Sequence, residues 1–186
     1  AQMTGFNGLN ITYPCKQKIM PLLDSVSEDA RAIGAVNTVV FESGKRIGHN
    51  TDWWGFAEGF RRGLPGVAMN KVVQLGAGGA GAATAHAAMV LGTGILTIFD
   101  IDIKKSVELA TDLCQRFGPG RAQAGTDLAA SMRIADGLIH ATPTGMAKHP
   151  GLPLPAEMLR PALWVAEIVY FPLQTALLRA AQDAGE

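Results

Sequence analysis

The chain has 186 residues, 16 Lys+Arg against 16 Asp+Glu, and 48% hydrophobic against 17% charged residues. That composition supplies a buried core for one large domain or two small ones and excludes a disordered chain. With no basic surplus, nothing points to nucleic acid or to an anionic membrane surface. Cys15 and Cys114 stand far apart, without the spacing of a disulfide framework or a metal site. This fits a reducing cytoplasm and predicts no metal. Ala1–Gly5 shows neither the basic nor the apolar part of a leader peptide.

The first third predicts a mixed α/β lobe. Gly8–Thr12 reads as a strand, followed by a short helix with Pro14 in its first turn. Asp24–Ile33 reads as a second helix, with Ser25 or Ser27 as its cap and Gly34 as its stop. Val36–Phe41 and Arg46–Gly48 read as a hairpin turning at Glu42–Lys45. A helix is expected from about Asp52 to Arg62, and Gly63, Pro65 and Gly66 mark a linker. The expected division is therefore residues 1–64 and 65–186.

Beyond the linker, strands and helices alternate. The strands are Lys71–Leu75, Ile95–Asp100, Arg121–Ala124, Gly137–Ala141 and Trp164–Ile168. The helices are Gly79–Leu91, Lys104–Phe117 and a final Leu173–Ala184, expected to return towards the first lobe. This alternation predicts a Rossmann-type, doubly wound parallel sheet, so the fold class is α/β with a partial substrate-binding lobe in front. Val72–Phe99 holds no Asp, Glu, Lys or Arg, which by hydropathy alone also suits a membrane span. The glycines clustered within it favour a strand–turn–helix–strand unit buried on both faces.

That cluster is Gly76-Ala77-Gly78-Gly79-Ala80-Gly81, after an apolar strand and before an alanine-rich helix. One glycine permits the tight turn, one lets a diphosphate approach the backbone, and one lets helix and strand pack closely. The helix start would offer unpaired N–H groups to phosphate. Asp100 ends the next strand, where a carboxylate accepts from ribose hydroxyls and repels a 2′-phosphate. NAD is thus favoured over NADP, although Asp100 could also simply start a turn. Ala141–Met146 follows the fourth strand, at the end where such sheets bind ligands, so Thr142, Pro143 and Met146 would lie near a nicotinamide. An ordinary Pro/Gly turn is an equal reading of that segment.

Hydroxyl oxidation also needs a group to handle the proton. Lys16, in the first turn of an expected helix, is the candidate, with a plain surface lysine as the simpler reading. Asp52 could be that group's partner or an ordinary helix cap. Asn10 and Thr12 would share one face of a strand, and Asn37 is polar within an apolar run. Together these groups suit a small polyol acid. His86 reads as a satisfied core histidine, and Trp53 and Trp54 as packing residues.

Asn10-Ile11-Thr12-Tyr13-Pro14-Cys15-Lys16, Gly34-Ala35-Val36-Asn37-Thr38 and Asn50-Thr51-Asp52 resemble, in order, the signatures of the shikimate/quinate dehydrogenase family. The glycine loop, Ala141–Met146 and Val169-Tyr170-Phe171-Pro172 continue the match. The resemblance implies Lys16 and Asp52 as the catalytic pair. It implies Asn10, Thr12, Asn37 and Asp52 on the substrate hydroxyls, with Tyr170 near the cleft. It implies Gly76 to Gly81, Asp100, Thr142, Pro143, Met146 and Val169 on the cofactor. Asp100 and the Trp53-Trp54 pair look more like the NAD-using quinate/shikimate branch. The implied ligand is a small polyol carboxylate, and a homodimer stays open.

The chain also departs from the family pattern. No Ser-x-Ser or Ser-x-Thr pair precedes Asn10, and the family continues past Gly185-Glu186. His140 stands where Asn is common and Glu167 where Asp is common. A truncated binding or regulatory module is therefore the alternative to an oxidoreductase. Another two-lobed Rossmann enzyme, such as a methylenetetrahydrofolate dehydrogenase, fits these runs less well.

Overall fold

The computed structural model describes residues 5–185; residues 1–4, within the stretch that lacks a leader pattern, and residue 186 lie outside the described residues. A first sheet contains β1 (Gly8–Asn10), β2 (Ser25–Val26), β3 (Thr38–Glu42) and β4 (Lys45–His49), in the order β1-β3-β4-β2. β3 and β4 are the expected hairpin, paired antiparallel from Thr38 with His49 to Glu42 with Lys45. Its two central residues, Ser43 and Gly44, take positive φ, as a two-residue hairpin turn demands. β1 lies antiparallel to β3, and β2 parallel to β4. Ala30, Val36 and Val39 form this sheet's core, with Ile19, Met20, Leu23 and Val26 packed around them.

Three expectations for this half need correction. β1 stops at Asn10 rather than Thr12. No helix starts at Pro14: Tyr13–Ile19 is a run of turns and a bend, and the Lys16 carbonyl accepts from Val36 N–H at 2.8 Å. A long-range bond thus overrides the local helix signal, and Lys16 has no helix dipole to oppose. Third, the helix expected from Asp24 begins only at α1 (Glu28–Ile33), where the Ser27 hydroxyl accepts from Ala30 N–H. Ser25 and Val26 are drawn into the sheet beside Ile47 and Gly48. Asp24 is clamped to Arg46, with the guanidinium at 2.9 Å and the backbone N–H at 2.7 Å. Those two bonds hold the Asp24 carboxyl well below the usual carboxylate range. Gly34 closes α1 in the left-handed conformation.

The second sheet is parallel throughout. Its strands are β5 (Lys71–Leu75), β6 (Ile95–Phe99), β7 (Ala122–Ala124), β8 (Gly137–His140) and β9 (Trp164–Glu167). They run in the order β7-β6-β5-β8-β9. The chain leaves β5 in one direction and returns on its other side at β8, so the order reverses between those strands. Such a switch point opens a crevice at the carboxyl ends of the strands. The fold is α/β and Rossmann-type, as the alternation predicts. Among the described residues, no helix is long and apolar enough to cross a membrane.

Helices cover both faces. α3 (Gly79–Val90) and α4 (Ile103–Phe117) close one core with Val72, Leu96, Ile98 and Ile139. α5 (Leu128–Ile134) and α6 (Ala176–Gly185) close the other with Val73, Leu75 and Leu138. α6 starts at Ala176 rather than Leu173, with the Thr175 hydroxyl accepting from Leu178 N–H at its start. α3 buries every residue from Gly81 to Met89, which explains why it is alanine-rich and apolar on all sides.

α2 (Asp52–Gly63) joins the two sheets. Its Phe60 ring meets Trp164 edge-on at 4.9 Å, and Trp53 meets His86 edge-on at 5.2 Å. Aromatic pairs of this kind contribute about 0.5–1.5 kcal/mol each beyond their buried area. His86 is the satisfied core histidine the sequence suggests. Its Nδ1 accepts from the Arg116 guanidinium at 2.8 Å, and burial, followed by the Arg116 charge, pushes its pKa below the ordinary value.

Candidate functional site

Lys16, Asn37 and Asp52 come together where the first sheet meets α2. Lys16 Nζ donates to Asp52 Oδ2 at 2.7 Å, and Asn37 Nδ2 donates to Asp52 Oδ1 at 2.8 Å. Asp52 does not cap α2, although it is the helix's first residue. The buried Asn50 does that: its Oδ1 accepts from Asp52 N–H at 3.0 Å and Trp53 N–H at 3.4 Å. Its Nδ2 donates to the Ala35 carbonyl at 3.0 Å, tying the helix start to the chain before β3. With Asn50 serving the backbone, both Asp52 oxygens are left for side-chain partners.

Asn37 is held just as firmly. Its Oδ1 accepts from Thr51 N–H and from the Thr38 hydroxyl, both at 3.0 Å. Its carbonyl accepts from Ile11 N–H at 2.7 Å. Asn10 and Thr12, both exposed, flank Ile11 and so stand next to this backbone link. Tyr170 follows β9 and is 81% exposed.

The glycine loop runs from the end of β5 into α3. Gly76 has φ +103°, and a Cβ there would lie 2.5 Å from the Ala141 carbonyl oxygen and 3.1 Å from Thr142 Cγ2. Any other residue would force β5 and β8 apart at the crevice. At Gly81 a Cβ would run into the Gly76 carbonyl. Gly78 differs, since a Cβ there meets nothing within 4 Å. It opens α3, which has no side-chain cap. An open glycine at an uncapped helix start suits a diphosphate. The loop could therefore hold a dinucleotide, with Gly76 to Gly81 around its diphosphate.

Asp100 reaches back to this loop. Its Oδ2 accepts from Ala77 N–H at 2.8 Å and its Oδ1 from Asp102 N–H at 2.9 Å. It thus fixes the loop and the turn after β6, while Asp102 caps α4. Each Asp100 oxygen keeps a second lone pair for a further donor. The two halves meet at Gly79, where a Cβ would stand 3.2 Å from the Lys16 Cβ. Among the described residues no cluster of three or more His, Cys, Asp or Glu is placed to hold a metal ion.

Residues 1–39 match the family described as "Shikimate dehydrogenase substrate binding domain". Over its whole length the chain is 56% identical to the shikimate dehydrogenase (NADP(+)) of Streptomyces avermitilis, covering 64% of that protein. It is 46% identical to the quinate/shikimate dehydrogenase (NAD(+)) of Corynebacterium efficiens, covering 66% of it. The structure of quinate dehydrogenase from Corynebacterium glutamicum in complex with NAD superposes with a TM-score of 0.89 at 43% identity. That alignment covers 97% of this chain and 65% of the other. The chain belongs to the shikimate/quinate dehydrogenase family. It spans about two thirds of the length of these relatives.

Within this shikimate/quinate dehydrogenase framework, three supports escape the sequence reading. Asn50 is one. Gln74 is the second: fully buried on β5, it donates to the Gly76 carbonyl at 2.9 Å and the Gly81 carbonyl at 2.8 Å and accepts from the Thr84 hydroxyl at 3.0 Å. A lone amide inside Val72-Val73-Gln74-Leu75 was its only signal. The third is the buried pair His140–Glu167, joined at 2.9 Å across β8 and β9. Of the residues expected on the cofactor after the fourth strand, Thr142 is half-buried while Pro143 and Met146 are exposed. Val169 is buried, with its N–H given to Glu167 at 2.9 Å.

Proposed function

We propose that the chain forms part of an NAD-dependent oxidoreductase acting on a ring hydroxyl of shikimate or quinate, with 3-dehydroshikimate or 3-dehydroquinate as the ketone. Residues 1–64 would contribute to the substrate lobe and residues 65–186 would be the cofactor lobe. The observation that carries this reading is the Lys16–Asp52 pair, 2.7 Å apart, with the stem of Lys16 packed against Gly79 of the dinucleotide loop. In this reading the groups that handle the proton lie beside those that hold the cofactor.

Lys16, Asn37 and Asp52 would receive the substrate hydroxyl, with Asn10, Thr12 and Tyr170 on the remaining polar groups. In the oxidation direction the hydroxyl proton passes to the Lys16 amine as the hydride leaves, and the ammonium so formed stabilises the negative charge developing on that oxygen. In the reverse direction Lys16 returns the proton to that oxygen. Asp52 orients the ammonium, and Asn37 holds Asp52. NAD, when bound, accepts the hydride. Gly76, Ala77, Gly78, Gly79, Ala80 and Gly81 would hold its diphosphate, and Thr142, Pro143, Met146 and Val169 would line its nicotinamide end.

NAD is preferred to NADP in this reading because a 2′-phosphate beside the Asp100 carboxylate would add a second negative charge. Among the relatives, both NADP(+) and NAD(+) appear in the names. A reducing compartment such as the cytoplasm is supported by two free thiols, Cys15 and Cys114. Calorimetric titration with NAD, NADP, shikimate and quinate, alongside a turnover assay, tests the reading. Tighter binding of NADP than NAD would overturn the cofactor preference, and no nicotinamide cofactor binding at all would overturn the function.

A further inference from the structure

We propose that the buried His140–Glu167 pair is a positioning device that holds the Thr142 hydroxyl, and with it the loop after β8, against the nicotinamide end of the cofactor. The inference rests on the cofactor reading above and assigns a task to groups that the chemistry leaves unused.

The His140 ring is fully buried and the Glu167 side chain is 1% exposed. Glu167 accepts from His140 Nδ1 at 2.9 Å, Val169 N–H at 2.9 Å and the Thr175 hydroxyl at 3.1 Å. A carboxylate only accepts, so Nδ1 carries a proton. The other ring nitrogen, Nε2, faces the Thr142 hydroxyl at 2.5 Å. Thr142 Oγ1 in turn accepts from Thr144 N–H at 3.2 Å. One chain of bonds therefore runs from the start of α6, through β9 and β8, into the loop.

Its outer end is well placed. Thr142 Cγ2 would stand 3.1 Å from a Cβ at Gly76, so Thr142 lies against the glycine loop at the switch point. Two apolar residues could join β8 to β9 without the cost of burying ionisable groups. What the polar pair adds is direction: it fixes which way the Thr142 hydroxyl faces. Turning that hydroxyl would strip the imidazole of a partner it cannot replace with water, because the ring has no solvent contact.

Two substitutions isolate this role. The amide of His140→Asn reaches about as far as Nδ1, so it keeps the bond to Glu167 but loses Thr142. Thr142→Val keeps the shape at the outer end and removes the hydroxyl, leaving Nε2 without its partner while Glu167 keeps its bond to Nδ1. The probes are NADH and ADP-ribose, which lacks the nicotinamide ring, titrated into each protein by calorimetry, with a thermal melt to verify folding. In both variants NADH affinity should fall about three- to tenfold, the loss of one hydrogen bond, while ADP-ribose affinity stays within about twofold. The double variant should lose no more than either single one, since both cut the same chain. An unchanged ratio of NADH to ADP-ribose affinity in Thr142→Val would overturn the proposal, as would an equal loss for both ligands. If the unaltered protein bound neither probe, the cofactor reading itself would fall and the inference with it. ADP-ribose reports on the glycine loop and Asp100 without the nicotinamide end, which keeps the two failures distinct.

Discussion

A Cβ on Gly79 would stand 3.2 Å from the Cβ of Lys16 and 3.6 Å from that of Ala35. The neighbouring Gly78 has open space at the same position and an ordinary φ of −75°. These adjacent glycines thus differ: Gly79 is bare because Lys16 and Ala35 pack against it, and in the proposed reading Gly78 is bare for a ligand. Gly78→Ala should fold with a near-normal melting temperature yet weaken NAD binding by about 1–3 kcal/mol, the usual penalty for a methyl group in a filled space. Gly79→Ala should instead push Lys16 aside by a few tenths of an ångström and lower turnover more than cofactor affinity. An unaltered NAD titration for Gly78→Ala would remove the glycine loop from cofactor binding.

Lys16→Met keeps the aliphatic stem against Gly79 and removes the ammonium. Asp52 then retains Asn37 as its donor, so the local fold has little reason to change. Turnover with shikimate or quinate should drop by about 10²–10⁴-fold, the range for losing a positioned acid or base. NAD affinity measured by calorimetry should survive. Near-normal turnover would exclude Lys16 from the chemistry, whatever its distance from Asp52.

Asn50→Ala tests whether the active-site geometry depends on the cap. The variant loses the acceptor for Asp52 N–H and Trp53 N–H and the donor to the Ala35 carbonyl. The cost should be about 2 kcal/mol, the upper end for an N-cap, read from denaturant unfolding. Thr51→Ala should cost less, because the Thr51 side chain makes no cap bond. Equal stability of the two variants would mean that Asn50 is not what holds the start of α2.

These assignments show which parts of the molecule are local enough to read from sequence. The β3–β4 hairpin and the glycine loop each carry their signal within a few residues, and both appear where expected. The helix at Pro14 and the early start of α1 fail because Val36 and Arg46, far along the chain, claim Lys16 and Asp24. Lys16 and Asp52 could be named from their motifs, but their contact spans the first sheet and no spacing encodes it. Asn50 stands in a matched motif and Glu167 departs from the family pattern, yet their roles, like that of Gln74, exist only once distant carbonyls and hydroxyls arrive.

His86 gives the fold a specific pH signature. Burial, followed by Arg116, depresses its folded pKa from the ordinary 6.5, with Asp29 acting weakly in the opposite sense. The unfolded chain therefore takes up this proton first as pH falls. The contribution of neutral His86 to stability is fully present above the ordinary value and shrinks as pH drops from there towards the folded value. Asp24 acts in a separate window: its folded pKa is depressed from 3.8, so its contribution holds above that value and is lost only in stronger acid. His86→Phe keeps an aromatic ring between Trp53 and Phe117 and removes the titration. Unfolding free energies measured from about pH 8 to about pH 5 should show the wild type losing ground to His86→Phe as the solution acidifies. Parallel curves across that interval would show that the ring can be protonated inside the fold at no cost, and that the Arg116 contact does not fix it as an acceptor.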